Sequence, residues 1–169
     1  LFQKHFSIAQ IGLITATYPA VWGLGQLVTG KMSDYFCKKN MLFSGMILQG
    51  IVLLMMPWAE TMTHYVSLSI MLGWGTAMVY PTFLATVAEN TNPIDRSKSL
   101  GVFRLWRDLG YAFGAILTGI IADTLGLNTS IITIGLLTVA SSFIIKLRMT
   151  CRIKNEGSHK TITTNILSN

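Results

Sequence analysis

Charge is what this sequence has least of. Only 12% of its 169 residues are Asp, Glu, Lys or Arg, while 51% are hydrophobic; a soluble globular domain carries about 25% charged residues. The shortage argues against a soluble enzyme. Acids are scarcer than bases, 7 against 13, which leaves a formal net charge of +6. Cysteine is nearly missing too: Cys37 and Cys151 have no second Cys or His at ligand spacing, which suits neither a disulfide scaffold nor a zinc site. No ordered Ser, His and Asp set and no phosphate loop stands out, so no catalytic residue, metal or cofactor is expected.

What the chain has in place of charge is length without it. Residues 6–30, 40–59, 61–88, 109–122 and 124–145 contain no Asp, Glu, Lys or Arg. A helix rises 1.5 Å per residue, so roughly 20 apolar residues cross the ~30 Å hydrocarbon layer. Four windows pass that test and the fourth in order, 109–122, falls short. In lipid a span must satisfy its own backbone groups, which predicts an all-α membrane protein with five transmembrane helices at about 7–30, 40–58, 65–88, 100–121 and 128–145. The bundle would occupy 7–147, followed by a flexible cytoplasmic tail over 148–169, rich in Lys, Thr, Asn and Ser.

The bases then fix an orientation. If the spans alternate, Lys31, Lys38, Lys39, Arg96, Lys98, Arg104, Arg107, Lys146, Arg148, Arg152, Lys154 and Lys160 lie on one side and only Lys4 on the other. By the positive-inside rule the N-terminus is outside, the C-terminus is cytoplasmic and the setting is the cell membrane. The positive charge is thus read as topology, with the bilayer and not nucleic acid as partner.

The short window carries the most information. Fourteen residues rise only about 21 Å, so the fourth helix must borrow Leu100 to Asp108 and take Arg104, Arg107 and Asp108 with it. With Tyr111 they stand at i, i+3, i+4 and i+7, one helical face, where Arg104 and Asp108 can pair directly. Ionisable groups there are costly unless paired or wet, so the face is expected to point inward. The arginines could instead reach back to lipid phosphates; Asp108, too short to do so, favours an internal network. Small residues suggest helix packing at Gly12, Ala16 and Ala20, at Gly73, Ala77 and Ala85 beside Pro81, and at Gly110, Gly114 and Gly119. The second and fifth spans, with fewer small residues, are expected to face lipid more.

The first basic loop reads Gly30-Lys31-Met32-Ser33-Asp34-Tyr35-Phe36-Cys37-Lys38-Lys39. It resembles the G-x-x-x-D-R-x-G-R-K loop of the major facilitator superfamily, with Tyr35 and Cys37 departing from the usual base and glycine. The stretch from Gly101 to Asp123, with Tyr80-Pro81 and the Pro93 to Arg96 turn before it, looks like helices ten and eleven of a group of prokaryotic permeases in that superfamily. The likeness runs over about residues 8 to 147.

This resemblance implies helices eight to twelve of a secondary transporter of two six-helix bundles that rocks about a central site, with residues 1–6 as the remnant of a preceding helix or outer loop. It implies that Gly30, Asp34, Lys38, Lys39, Glu89 and Arg96 form a cytoplasmic gate. Asp34 would meet a helix N-terminus of the missing half, although it and the lysines could merely end a helix. The resemblance also places Tyr18, Trp22, Trp74, Tyr80, Arg107, Asp108 and Tyr111 near the solute path. For each aromatic, packing is the competing role. Arg104, Arg107, Asp108 and Tyr111 are the candidates for substrate contact or proton coupling. The expected partners are the missing N-terminal half and a small solute, with or without a co- or counter-transported proton. A non-transporting truncated or scaffold protein is the alternative.

Overall fold

A computed structural model describes residues 6–151, except for the side chain of Asp34. Among the described residues there are five α-helices and no strand: α1 Ile8–Tyr35, α2 Lys38–Met55, α3 Met62–Glu89, α4 Arg96–Leu125 and α5 Leu127–Arg148. All five are long and apolar enough to cross a membrane. Each includes its expected span or nearly so, and most run beyond it into charged residues. The physical reason is that a charge ends a hydrophobic run but not a helix. At 30 residues, α4 reaches about 45 Å, so the short window becomes a full span by taking Arg104, Arg107 and Asp108 inside, as its length required.

The helix ends carry their own chemistry. Ser7 caps α1 in a capping box, its Oγ accepting from Gln10 N at 3.3 Å while Ser7 N donates to Gln10 Oε1 at 2.9 Å. Thr61 Oγ1 accepts from His64 N at the start of α3. A 3-10 turn over Met56–Trp58, with Pro57 inside, stops α2. Between α4 and α5 the whole connection is Gly126, whose φ of +90° is open to glycine and strained for other residues.

Successive helices alternate in direction. In α2 and α3, Lys38 pairs with Glu89 and Gly45 approaches Gly75, so the two run antiparallel. In α2 and α5, Phe43 meets Phe143 and Gly50 approaches Gly135, with the same result. As expected from alternation, Lys31, Lys38, Lys39, Arg96, Lys98, Lys146 and Arg148 gather at one end of the bundle, called here the basic end.

Packing follows α1, α3, α2, α5, with α4 lying against both α5 and α3. Glycine sets the spacing. A Cβ on Gly73 would stand 2.8 Å from the Tyr18 carbonyl oxygen, one on Gly45 2.9 Å from that of Gly75, and one on Gly50 3.2 Å from that of Gly135. Gly45 and Gly50 lie on opposite flanks of α2, about 140° apart at 100° per residue. This places α2 in the interior of the layer, between α3 and α5, and corrects the expectation that it would face lipid more. Counting small residues missed it because two glycines on different flanks suffice for two close approaches.

On α4 the small residues stand open. A Cβ on Gly110, Gly114 or Gly119 would meet nothing within 4 Å, and α4 has no buried residue. Among the described residues no neighbour stands within 4 Å of a Cβ at these glycines. Gly12, Ala16 and Ala20 are likewise exposed, whereas Gly73 and Ala77 are buried as expected. G-x-x-x-G spacing permits close approach but needs a partner helix on that side.

The cysteines bring a second correction, since Cys37 and Cys151 form a disulfide with Cα atoms 5.7 Å apart. They lie 114 positions apart in sequence, and only the alternation of five helices brings the end of α5 beside the α1–α2 turn. No local spacing could reveal that.

Close approach to a backbone oxygen should be unforgiving. Gly73→Ala is expected to lower stability in detergent by about 1–3 kcal/mol, because the Tyr18 carbonyl cannot swing aside as a side chain would. Gly114→Ala should leave stability equal or slightly raised. Thermal unfolding of both variants checks the pair, and equal losses would contradict the described packing.

Candidate functional site

Helices α1 and α3 meet around Pro81, which lacks an N–H and so leaves the carbonyl of Ala77, four residues back, without its helical donor. Thr29 of α1 supplies one. Its Oγ1 lies 2.6 Å from Ala77 O and 3.0 Å from Gly25 O of its own helix, and the side chain is fully buried. A break in one helix is thus repaired by its neighbour, which fixes their register. Proline in mid-span is the signal from which sequence reasoning could have sought this donor.

On this frame a line of polar and aromatic groups crosses the bundle. Thr76 of α3 donates to Leu72 O at 2.8 Å and accepts from Gln49 Nε2 of α2 at 2.9 Å and from Tyr18 Oη of α1 at 3.3 Å. The Tyr18 ring stacks on Trp22 at 6.3 Å between centroids, and Trp22 meets Tyr80 of α3 edge to face at 6.0 Å. Trp22 Nε1 is buried and makes no hydrogen bond among the described residues. Arg107 of α4 closes the line, donating from Nη1 to Tyr80 Oη at 3.0 Å with its guanidinium 5.3 Å from the Tyr80 ring centre. Its Nε and Nη2 lie 2.9 and 2.8 Å from Asp108 Oδ1.

The structure therefore brings together Tyr18, Trp22, Tyr80, Arg107 and Asp108 from three helices. A guanidinium within a span costs a few kcal/mol unless it is paired. Here a carboxylate, a phenol oxygen and a π-face offset that cost. The arrangement presents a fixed positive group in a fork geometry suited to a carboxylate or phosphate.

The expected charged face on α4 needs correction in two respects. The residues of α4 that are half-buried against the bundle include Phe103, Arg107, Gly114 and Thr118; Phe103 meets Phe83 of α3 at 6.0 Å, and Ser130 of α5 donates to Thr118 O at 2.8 Å. This stripe is turned roughly 60° from the centre of the predicted face. Arg107 sits on it, with its side chain 26% exposed, while Asp108, at 59%, lies off it and is reached by the Arg107 side chain, and Arg104 and Tyr111 are exposed. The ion pair formed is accordingly Arg107–Asp108, not Arg104–Asp108. Spacing places residues on a face but does not say which side of that face has a neighbour. Trp74 also stands apart, packed beside Gly25 and 40% exposed.

A second cluster lies at the basic end. Lys38 at the start of α2 forms an ion pair with Glu89 at the end of α3. Lys39 and Arg96 share a cavity of about 780 Å³ with that pair and with Arg148, which the sequence had suggested only as a topology signal. Gly30 and Asp34 belong to the last turns of α1; a Cβ on Gly30 would meet nothing within 4 Å, and the side chain of Asp34 lies outside the described residues. Among the described residues no three His, Cys, Asp or Glu side chains gather as a metal site would require.

Comparison with known proteins agrees with this architecture. The sequence profile of the Major Facilitator Superfamily matches residues 2–164. An uncharacterized MFS-type transporter of Methanocaldococcus jannaschii is 25% identical over 154 residues, covering 89% of this chain and 39% of that protein. A probable hexose phosphate transport protein of Chlamydia muridarum is 24% identical, covering 83% and 31%, and a probable L-galactonate transporter of Escherichia coli is 24% identical, covering 80% and 30%. The chain thus spans well under half the length of these relatives. Five apolar helices in alternating directions and a profile match over nearly the whole sequence lead to one conclusion: this is a multi-pass membrane protein that belongs to the major facilitator superfamily.

Proposed function

We propose that the chain forms helices eight to twelve of a secondary transporter that works by alternating access, and that Arg107 is its anchor for an anionic small solute. The observation that carries this reading is a guanidinium held inside a membrane span by Asp108 and Tyr80, at the end of an aromatic line through three helices. Two relatives bear the names of anionic solutes, hexose phosphate and L-galactonate, which supports a fixed cation in the solute path. Arg107 meets the anion, Asp108 holds the guanidinium when the solute is gone, and Tyr80 keeps its plane. Trp22 Nε1 and the Tyr80 hydroxyl offer further donors. Release then needs only that Asp108 recapture Arg107. Arg104 and Tyr111, exposed on one face of α4, would meet the N-terminal half.

In a complete transporter containing this chain, Arg107→Gln should lower flux of an anionic solute by about 10- to 100-fold, the scale of a lost charge-assisted hydrogen bond. Tyr80→Phe should cost roughly threefold to tenfold. Flux in vesicles, normalised to protein in the membrane, reads both. Full activity in Arg107→Gln would assign the arginine to the lipid phosphates instead. The 169-residue chain reconstituted alone is expected to give no saturable flux. Saturable flux from it would contradict the two-bundle mechanism.

The basic end is proposed to be cytoplasmic. Cys151, freed of its disulfide in a Cys37→Ser variant, should react with a membrane-impermeant maleimide in inside-out vesicles and stay unlabelled in right-side-out ones. The opposite pattern would invert the topology.

A further inference from the structure

We infer that the cavity at the basic end is a binding site for a phosphate-bearing anion, distinct from the solute path. Among the described residues its wall carries four cations, Lys38, Lys39, Arg96 and Arg148, and one carboxylate, Glu89. Glu89 is already engaged by Lys38. Among the described residues Lys39, Arg96 and Arg148 make no ion pair, and Asp95, next to Arg96 in sequence, is not part of the wall. Three cations from three different helices, without an ion-pair partner among the described residues, therefore face one space.

Two helix N-termini open onto the same space. Lys38 begins α2 and Arg96 begins α4, and neither N-cap residue, Cys37 or Asp95, makes a side-chain capping hydrogen bond. Their first-turn N–H groups and positive dipole ends add to the field of the side chains. The volume of about 780 Å³ falls within the ordinary range for small-molecule sites and exceeds what one bare ion needs.

Topology alone would be served by bases scattered over that end of the bundle, as Lys31 and Lys98 are, outside the cavity wall. It does not call for three of them to converge on a concavity with one spent acid. The chemistry recognised is a phosphate monoester or phosphodiester, supplied either by the headgroup of an anionic lipid at the membrane surface or by a soluble phosphate compound. Occupancy would tie α2, α4 and α5 together at one end, and it requires no transport activity, so it stands or falls apart from the role of Arg107.

The test uses the purified full chain in neutral detergent, with native mass spectrometry counting bound dioctanoyl phosphatidylglycerol, dioctanoyl phosphatidylcholine and pyrophosphate. Phosphatidylglycerol or pyrophosphate should bind, and phosphatidylcholine should not. The triple variant K39Q/R96Q/R148Q should weaken binding by about 100-fold, each base near a phosphate being worth roughly a factor of five. Phosphatidylglycerol binding that pyrophosphate does not displace identifies a lipid headgroup; binding of pyrophosphate without the lipid identifies a soluble phosphate. If the triple variant loses helix content, R148Q alone, exposed at the end of α5, should weaken binding about fivefold. The proposal is overturned if neither probe binds, if folded triple variant binds as well as the unaltered chain, or if K98Q, at the same end but outside the cavity, weakens binding as much as R148Q.

Discussion

Lipid removes the force that holds most folds together. Hydrocarbon tails are as apolar as leucine, so helices in a bilayer gain little by hiding apolar surface and associate where their backbones come close. In this chain that closeness is set at Gly45, Gly50, Gly73 and Gly75, where a Cβ would come within 3.2 Å of a carbonyl oxygen of the facing helix. The positions of Tyr18, Trp22 and Tyr80 depend on these contacts, because Gly73 brings α3 against α1 at Tyr18 and Trp22. The polar repair at Ala77 by Thr29 locks the same pair of helices along their axis.

The spans were legible in the sequence because charge is excluded from lipid for simple energetic reasons. The alternation of directions was legible through the bases, and the presence of Arg104, Arg107 and Asp108 inside α4 through the length of a helical turn. Facing was less so. The i, i+3, i+4, i+7 pattern correctly grouped Arg107 with Asp108 on one helix, yet the packed side of α4 runs through Phe103, Arg107 and Thr118. Which side of a helix has a neighbour is decided by other helices, and hydropathy is almost blind to it when both lipid and protein interior are apolar. The same blindness placed α2 outside when it lies between α3 and α5.

Contacts between distant segments were hidden for a different reason. The pairing of Cys37 with Cys151, the meeting of Arg107 with Tyr80 and the convergence of Arg148 on Lys39 each join residues separated by most of a helix or more. Each element involved was foreseen, but not their lateral order. Of the candidate site, Tyr18, Trp22, Tyr80, Arg107 and Asp108 assemble, whereas Trp74, Arg104 and Tyr111 do not join them.

Gly126 has a mechanical consequence. A connection of one residue leaves no slack, so at that end α4 cannot slide past α5 and can only pivot. At its other end α4 hangs on the stretch 90–95 and on its contacts with α3. Over a length of about 45 Å, each degree of swing at the pivot would move the Arg96 end by about 0.8 Å. Gly126 is then a fulcrum, and Arg107, part-way along the lever, would travel about two-thirds as far.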